Sequence, residues 1–97
     1  MTKIYRACDL CGDRAQQIRL RAAHDIPLAI LTRGIRRELL ESEGRPFVFE
    51  LTDETDGAIL GVPFLCARCF QEECNRVSAS NKEAAFGELV ASLRRKN

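Results

Sequence analysis

C-D-L-C-G at residues 8–12 and F-L-C-A-R-C-F at residues 64–70 hold four of the five cysteines of this 97-residue chain. In each motif two residues separate the cysteines, so both sulfurs of a pair can reach one tetrahedral ion. Gly12 follows the first pair, and glycine adopts the positive φ angle of a sharp knuckle without penalty. Four thiolates in two such pairs are the ligand set of a closed, structural zinc site. We predict one Zn²⁺ bound by Cys8, Cys11, Cys66 and Cys69.

The cellular setting bears on how the cysteines are interpreted. The N-terminal residues turn polar before an apolar signal segment can form, and the longest mostly apolar stretch, residues 26–32, is far shorter than the ~20 residues that span a membrane. We therefore expect a cytoplasmic protein without a membrane segment. Disulfides are rare in a reducing cytosol, so clustered cysteines there are metal ligands or redox thiols.

Two alternatives to zinc remain open from the cysteine spacing. Iron in a rubredoxin-like site uses the same four thiolates, although Phe70 stands where a second glycine is typical. Cys66 and Cys69 could instead form a redox dithiol, although no βαβ thioredoxin pattern accompanies them. Cys74 lies four residues after Phe70, on the same side of one helix. We therefore predict that its thiol packs in the protein core rather than binding metal. His24, the only histidine, is expected in a loop or at the start of a helix.

The first half of the chain predicts two strands and a helix. Residues 3–7 suit a short strand. Residues 16–22 alternate, with Ile18 and Leu20 on one face and Arg19 and Arg21 on the other, as in a half-buried strand. A helix should begin near Pro27 or Thr32 and end near Ser42, before Gly44 and Pro46. Its apolar stripe comprises Leu28, Leu31, Ile35 and Leu39, widened by Leu40.

The second half predicts a hairpin and two helices. Residues 47–51 and 58–65 form the strands, with the turn at Asp56 and Gly57. Because of Pro63, the second strand either lies at a sheet edge or ends there. Residues 71–77 look helical, and Ser80 with Glu83 forms a candidate capping box for a last helix. That helix buries Phe86, Leu89, Val90 and Leu93. The fold class is thus α+β, in a single zinc-stabilised domain over residues 1–97.

The order of these elements resembles the treble-clef group of four-cysteine zinc folds. In that group the first C-x-x-C lies on a turn and the second opens a helix, and the likeness rests on residues 8–12 and 65–73 only. The 54 residues between Cys11 and Cys66 exceed the usual spacing. The resemblance therefore implies a treble-clef-like domain with a helix inserted before the hairpin, and it identifies no specific family.

Charge is distributed unevenly along the chain, although the net charge is only +1. Residues 1–37 contain eight basic and three acidic side chains, whereas residues 38–60 contain one basic and seven acidic ones. We predict a partner-binding surface on a strand and a helix that pack side by side, formed by Arg14, Arg19, Arg21, Arg33, Arg36 and Arg37. A solvated face neutralised by Glu38, Glu41 and Glu43 is the competing interpretation.

The residue types present favour a binding module over an enzyme. A zinc ion closed by four thiolates has no open position for water, and one histidine offers little acid–base chemistry. The leading hypothesis is a small adaptor or regulator acting on a protein partner, with nucleic-acid machinery as one setting. The alternatives are direct nucleic-acid binding through the arginines and a redox protein. The near-neutral charge favours the protein partner, because dedicated nucleic-acid modules are usually more basic.

Overall fold

The computed structural model describes residues 3–53 and 59–95, and side chains within 3–51 and 64–93. The elements are β1 (Tyr5–Ala7), β2 (Arg14–Ala22), α1 (Leu28–Glu41), β3 (Phe47–Asp53), β4 (Ile59–Cys66), α2 (Ala67–Ser80) and α3 (Phe86–Arg95). The predicted α+β class and the order of knuckle, strands with an inserted helix, hairpin, second knuckle and helices are confirmed. The predicted turn at Asp56 and Gly57 lies outside the described residues.

The four strands form one curled sheet in the order β1-β2-β3-β4. β1 and β2 are antiparallel, as are β3 and β4, whereas β2 and β3 are parallel. Parallel neighbours need a crossover connection, and α1 provides it. The predicted edge position of β4 is confirmed, which explains how the strand accommodates Pro63.

The helix α1 begins directly after Pro27, which has an extended backbone and is the N-cap residue. Leu28, Leu31 and Ile35 of the predicted stripe are buried, and Gly34 does not interrupt the helix. Gly44 ends the segment with φ of 80° and donates its amide to the carbonyl oxygen of Leu39 at 2.8 Å. This is the left-handed termination that glycine favours.

The expectation that Leu40 widens the apolar stripe of α1 is wrong. Leu40 is 81% exposed, whereas Leu39 is half-buried against the core. Consecutive helical residues are about 100° apart around the axis, so Leu40 projects from the flank of the helix. The preceding stripe already fills the contact with the sheet.

One apolar core joins the helices to the sheet. Phe49 of β3, Phe70 of α2 and Phe86 of α3 are completely buried, and the rings of Phe49 and Phe70 are 5.7 Å apart. Leu89, Val90 and Leu93 are buried with Phe86, as predicted for the last helix. The aromatic centre of the core therefore lies on the sheet face that carries Phe49, while Val48 of the opposite face is buried as well.

The predicted capping box at the start of the last helix is wrong. Ser80 is the final residue of α2, and α3 begins only at Phe86. The intervening turn is organised by Asn81, whose side-chain oxygen accepts a hydrogen bond from the amide of Glu83 at 3.1 Å. The amide of Phe86 donates to the carbonyl oxygen of Ile26 at 2.8 Å, so a tertiary contact positions the first turn of α3.

Candidate metal centre

Four cysteine sulfurs converge at one end of the sheet, and all lie within 4.8 Å of one another. Cys8 and Cys11 come from the turn between β1 and β2, whereas Cys66 and Cys69 come from the junction of β4 and α2. The sulfurs of Cys11 and Cys66 are 3.7 Å apart. A tetrahedron with Zn–S distances of about 2.3 Å has S···S edges of about 3.8 Å, so this separation fits a shared ion and excludes a disulfide bond.

The first knuckle is a tight turn closed by backbone hydrogen bonds. The amide of Cys8 donates to the carbonyl oxygen of Asp13 at 2.8 Å, and the amide of Gly12 donates to the carbonyl oxygen of Cys8 at 2.9 Å. Gly12 has φ of 81°, which confirms the predicted sharp turn with a positive φ angle at this glycine.

The second knuckle is the first turn of α2. Cys66 is the N-cap residue, and its sulfur accepts a hydrogen bond from the amide of Cys69 at 3.4 Å. An N-cap side chain that accepts from an amide two or three residues later is the usual way to satisfy the free donors of a helix start. A thiolate in this position also gains from the positive end of the helix dipole.

Asp9 joins the two knuckles, although no local motif singles it out. Its amide donates to the carbonyl oxygen of Phe64 at 2.8 Å, and its carboxylate accepts from the amide of Phe64 at 3.0 Å. Asp9 therefore ties the first knuckle to β4 just before the second cysteine pair. Asp beside a C-x-x-C cysteine is compatible with such a bond, but its partner is 55 residues away and only the folded chain reveals it.

The electrostatics of the cluster are uneven. Burial acts to raise the pKa of Cys8, but hydrogen bonds from the backbone of Cys66, Cys11 and Leu10 outweigh it and lower this pKa to about 7. Burial raises the pKa of Cys66 and, further, that of Cys69. A metal ion would displace the protons from these buried thiols, since only the thiolate is a ligand.

Arg68, between the cysteines of the second pair, lies against the cluster. The hydrogen bond to Cys11, followed by the charge of Cys11, raises the pKa of Arg68. Its guanidinium also lies 3.7 Å from the carboxylate of Asp13, which follows the first knuckle. Arg68 thus places a positive charge beside sulfurs that become negative on metal binding. Like Asp9, it is a residue of the site that motif spacing alone did not identify.

Cys74 lies apart from the cluster, as predicted. It is 1% exposed, belongs to the apolar core and follows Phe70 by one helical turn. Burial raises the pKa of Cys74 to about 12, although a hydrogen bond with Thr32 acts in the opposite direction. His24 occupies the exposed turn between β2 and α1, as expected, and its ring packs against Gly87 of α3. Within the described ranges, the four predicted cysteines are the one metal-competent cluster.

The six predicted arginines lie on α1 and β2. Arg33, Arg36 and Arg37 are exposed on α1, and Arg14 is exposed at the start of β2. Arg19 and Arg21 are also exposed, and strand alternation places them on the face of β2 opposite Ile18 and Leu20. That the six side chains form one partner-binding surface stays a prediction.

No helix in the described part of the chain is long and apolar enough to cross a membrane. The four cysteines in two close pairs could hold a metal ion, which is consistent with a zinc-binding fold. No protein-family model, curated protein sequence or solved structure matches this chain.

Proposed function

We propose that this protein is a non-enzymatic binding module whose fold is stabilised by one Zn²⁺ bound to Cys8, Cys11, Cys66 and Cys69. The convergence of these four sulfurs within 4.8 Å carries the proposal. The two pairs come from segments separated by the whole of the sheet and α1, so a shared ion would fasten the start of the chain to the start of α2. Such a link is the usual role of a four-cysteine site.

The ligand set supports a structural ion. Four thiolates complete the tetrahedral coordination of zinc and leave no position for water or substrate. Cys8, Cys66 and Cys69 are buried, and Cys11 is the exposed member of the group. A catalytic zinc would need an open coordination position, which three protein ligands rather than four provide.

Redox chemistry at the second cysteine pair is the weaker alternative. A reactive dithiol needs a cysteine with a depressed pKa that is accessible to its partner. Burial raises the pKa of both Cys66 and Cys69, and both side chains are buried. A dithiol mechanism at Cys66 and Cys69 does not need the sulfurs of Cys8 and Cys11 nearby. A four-sulfur metal site requires all four sulfurs to lie close together.

The module would act as an intracellular adaptor or regulator on a protein partner through exposed arginines. Guanidinium groups bind carboxylates in a bidentate manner, and β2 presents Arg19 and Arg21 as exposed side chains on one face. Direct binding of nucleic acid through the same arginines is the second candidate. The salt dependence of binding separates the two, since phosphate contacts lose affinity steeply as salt rises.

Elemental analysis of the full chain, purified under reducing conditions, tests the metal site. We expect one zinc per chain and all five thiols protected from a thiol reagent, with the four ligand cysteines becoming reactive when a chelator is added. Cys74→Ser is the matched control, because it removes a buried cysteine of the same helix without removing a ligand. Iron in place of zinc, or disulfides in both pairs with no metal, would contradict the proposal.

A further inference from the structure

We propose that the exposed arginines on one face of β1 and β2, Arg6, Arg19 and Arg21, bind the carboxylates of an acidic peptide segment in an extended conformation. This deepens the proposed function, on which it rests, by assigning the chemistry of the protein partner. It also narrows the six-arginine surface expected from the sequence to Arg19 and Arg21 of β2, and adds Arg6 from β1.

The pairing register places the three arginines on one face. Arg6 is opposite Ala15 in the β1–β2 pair, so it shares a face with Gln17, Arg19 and Arg21 of β2. Arg19 is opposite Glu50 in the β2–β3 pair. Glu50 in turn is opposite Phe64 of β4, so this face runs across all four strands.

A hydrogen-bonded row holds the side chains of this face in place. Nε of Arg6 donates to Gln17 at 3.1 Å, and the side-chain amide of Gln17 donates to Glu50 at 2.8 Å. Nε of Arg19 donates to the same Glu50 oxygen at 3.2 Å. A guanidinium has five N–H donors, and this row engages the Nε–H of both arginines. Carboxylate binding through the forked Nη groups would thus occur on side chains that are already oriented, which lowers the entropic cost of binding.

The charge of the face complements an acidic ligand. Among the described side chains of this face, three arginines stand against Glu50, and the side chain of Arg19 remains 71% exposed despite its ion pair. Ala15 and Val48 of the same face are buried, whereas Arg19 and Arg21 are exposed. The positive charge of this face is therefore available to a ligand that approaches over β2.

The spacing of the arginines favours an extended peptide. Arg19 and Arg21 are two residues apart on one strand, which separates them by about 7 Å. Carboxylates at alternate positions of an extended peptide have the same spacing. Arg6 lies on the neighbouring strand opposite Ala15, four residues before Arg19, so it is about 13 Å further along the sheet and about 5 Å to the side, where it can reach a third carboxylate.

A single-stranded nucleic acid fits this face less well. Sequence-tolerant binding of single strands relies on aromatic rings on which bases stack. Phe64 is the aromatic side chain of this face among the described residues, and the guanidinium of Arg6 covers its ring at 5.1 Å from the centroid. The face thus offers charge without an open stacking platform.

Fluorescence anisotropy with the zinc-loaded full chain tests the inference. The probe is a fluorescein-labelled peptide in which Glu and Thr alternate, and the control probe replaces each Glu with Gln. The double variant Arg19→Gln, Arg21→Gln should lower the affinity for the Glu peptide by about tenfold or more, because charge-assisted hydrogen bonds are lost. The matched control, Arg33→Gln with Arg37→Gln on α1, should bind like the unmodified protein.

Glu50→Gln provides an opposite arm. Removing this carboxylate frees Arg19 from its ion pair, so the affinity for the Glu peptide should rise while zinc content stays the same. Three results would overturn the inference. The two double variants could lose equal affinity for the Glu peptide, the unmodified protein could fail to bind that peptide, or it could bind labelled oligothymidine more tightly. Zinc analysis of the same samples keeps the outcomes distinct: a chain that holds zinc and fails to bind peptide contradicts only this inference, whereas a chain without zinc contradicts the proposed function.

Discussion

The first turn and the middle of α2 place cysteines in different chemical roles. Cys66 and Cys69 at the N-terminal end are 7% exposed and meet the sulfurs of the first knuckle. Cys74, just over one turn further along, is 1% exposed and meets Thr32 and the apolar core. Burial is similar at all three positions, so burial alone does not identify a ligand. The difference lies in what a distant segment brings to each sulfur.

The two ends of α2 also differ in what holds them. Around Cys66 and Cys69 the contacts converge on a site for one ion, with the Asp9 hydrogen bonds beside it. The far end packs on α3 through apolar side chains and through Arg76, which binds both the buried carboxylate of Glu73 and the hydroxyl of Ser92. Substitutions at the two ends should therefore lower stability in different ways.

Cys69→Ser should have the largest effect, because it removes a ligand from the metal end. Structural zinc contributes ~10 kcal/mol or more to the folding of small zinc domains. We expect that this variant does not retain one zinc per chain and shows no cooperative thermal transition by circular dichroism. A folded variant with a full complement of zinc would show that this cysteine is not a ligand.

Phe86→Ala should have the next largest effect, at the opposite end. Phe86 is completely buried, and truncating a buried phenylalanine lowers the free energy of unfolding by about 3–5 kcal/mol. Urea unfolding of the zinc-loaded protein measures this loss. One zinc per folded chain should remain, since the side chain lies in α3 away from the cluster. Loss of zinc from a chain that is still folded would mean that the two ends are not independent.

Cys74→Ser should lower the free energy of unfolding by about 1–3 kcal/mol, the cost of a buried hydroxyl in place of a thiol. Zinc should be retained. Because burial raises the pKa of Cys74 to about 12, the thiol stays protonated at pH 8 and should react with iodoacetamide only after unfolding. Release of zinc by this substitution, with zinc retained in Cys66→Ser, would reverse the assignment of the two roles.

Leu40→Gln should have the smallest effect. Its side chain is 81% exposed, and surface substitutions away from special features change the free energy of unfolding by about 0.5 kcal/mol or less. Leu31→Gln, in the same helix and buried, is the matched control and should cost several times more. Equal losses in the two variants would show that Leu40 packs in solution.

Local patterns in the sequence were sufficient for the metal ligands and for most elements. The two C-x-x-C motifs and Gly12 define knuckles whose geometry depends on a few consecutive residues, and the structure brings all four sulfurs together. The apolar stripe of α1 and the buried residues of α3 also followed from helical periodicity, which is a property of neighbouring residues. Pro63 identified an edge strand because proline lacks an amide hydrogen.

Tertiary structure alone decided the features that depend on residues far apart in the chain. The bond between Asp9 and Phe64 spans 55 positions, and the turn before α3 is set by a contact with Ile26 rather than by a capping box. Strand pairing places Arg6 of β1 on the same face as Arg19 of β2, and local patterns do not reveal that pairing. Periodicity assigns each side chain to a face of its own element. Which faces meet depends on long-range pairing and packing. These interactions place Arg6 on the same sheet face as Arg19 and leave Leu40 exposed.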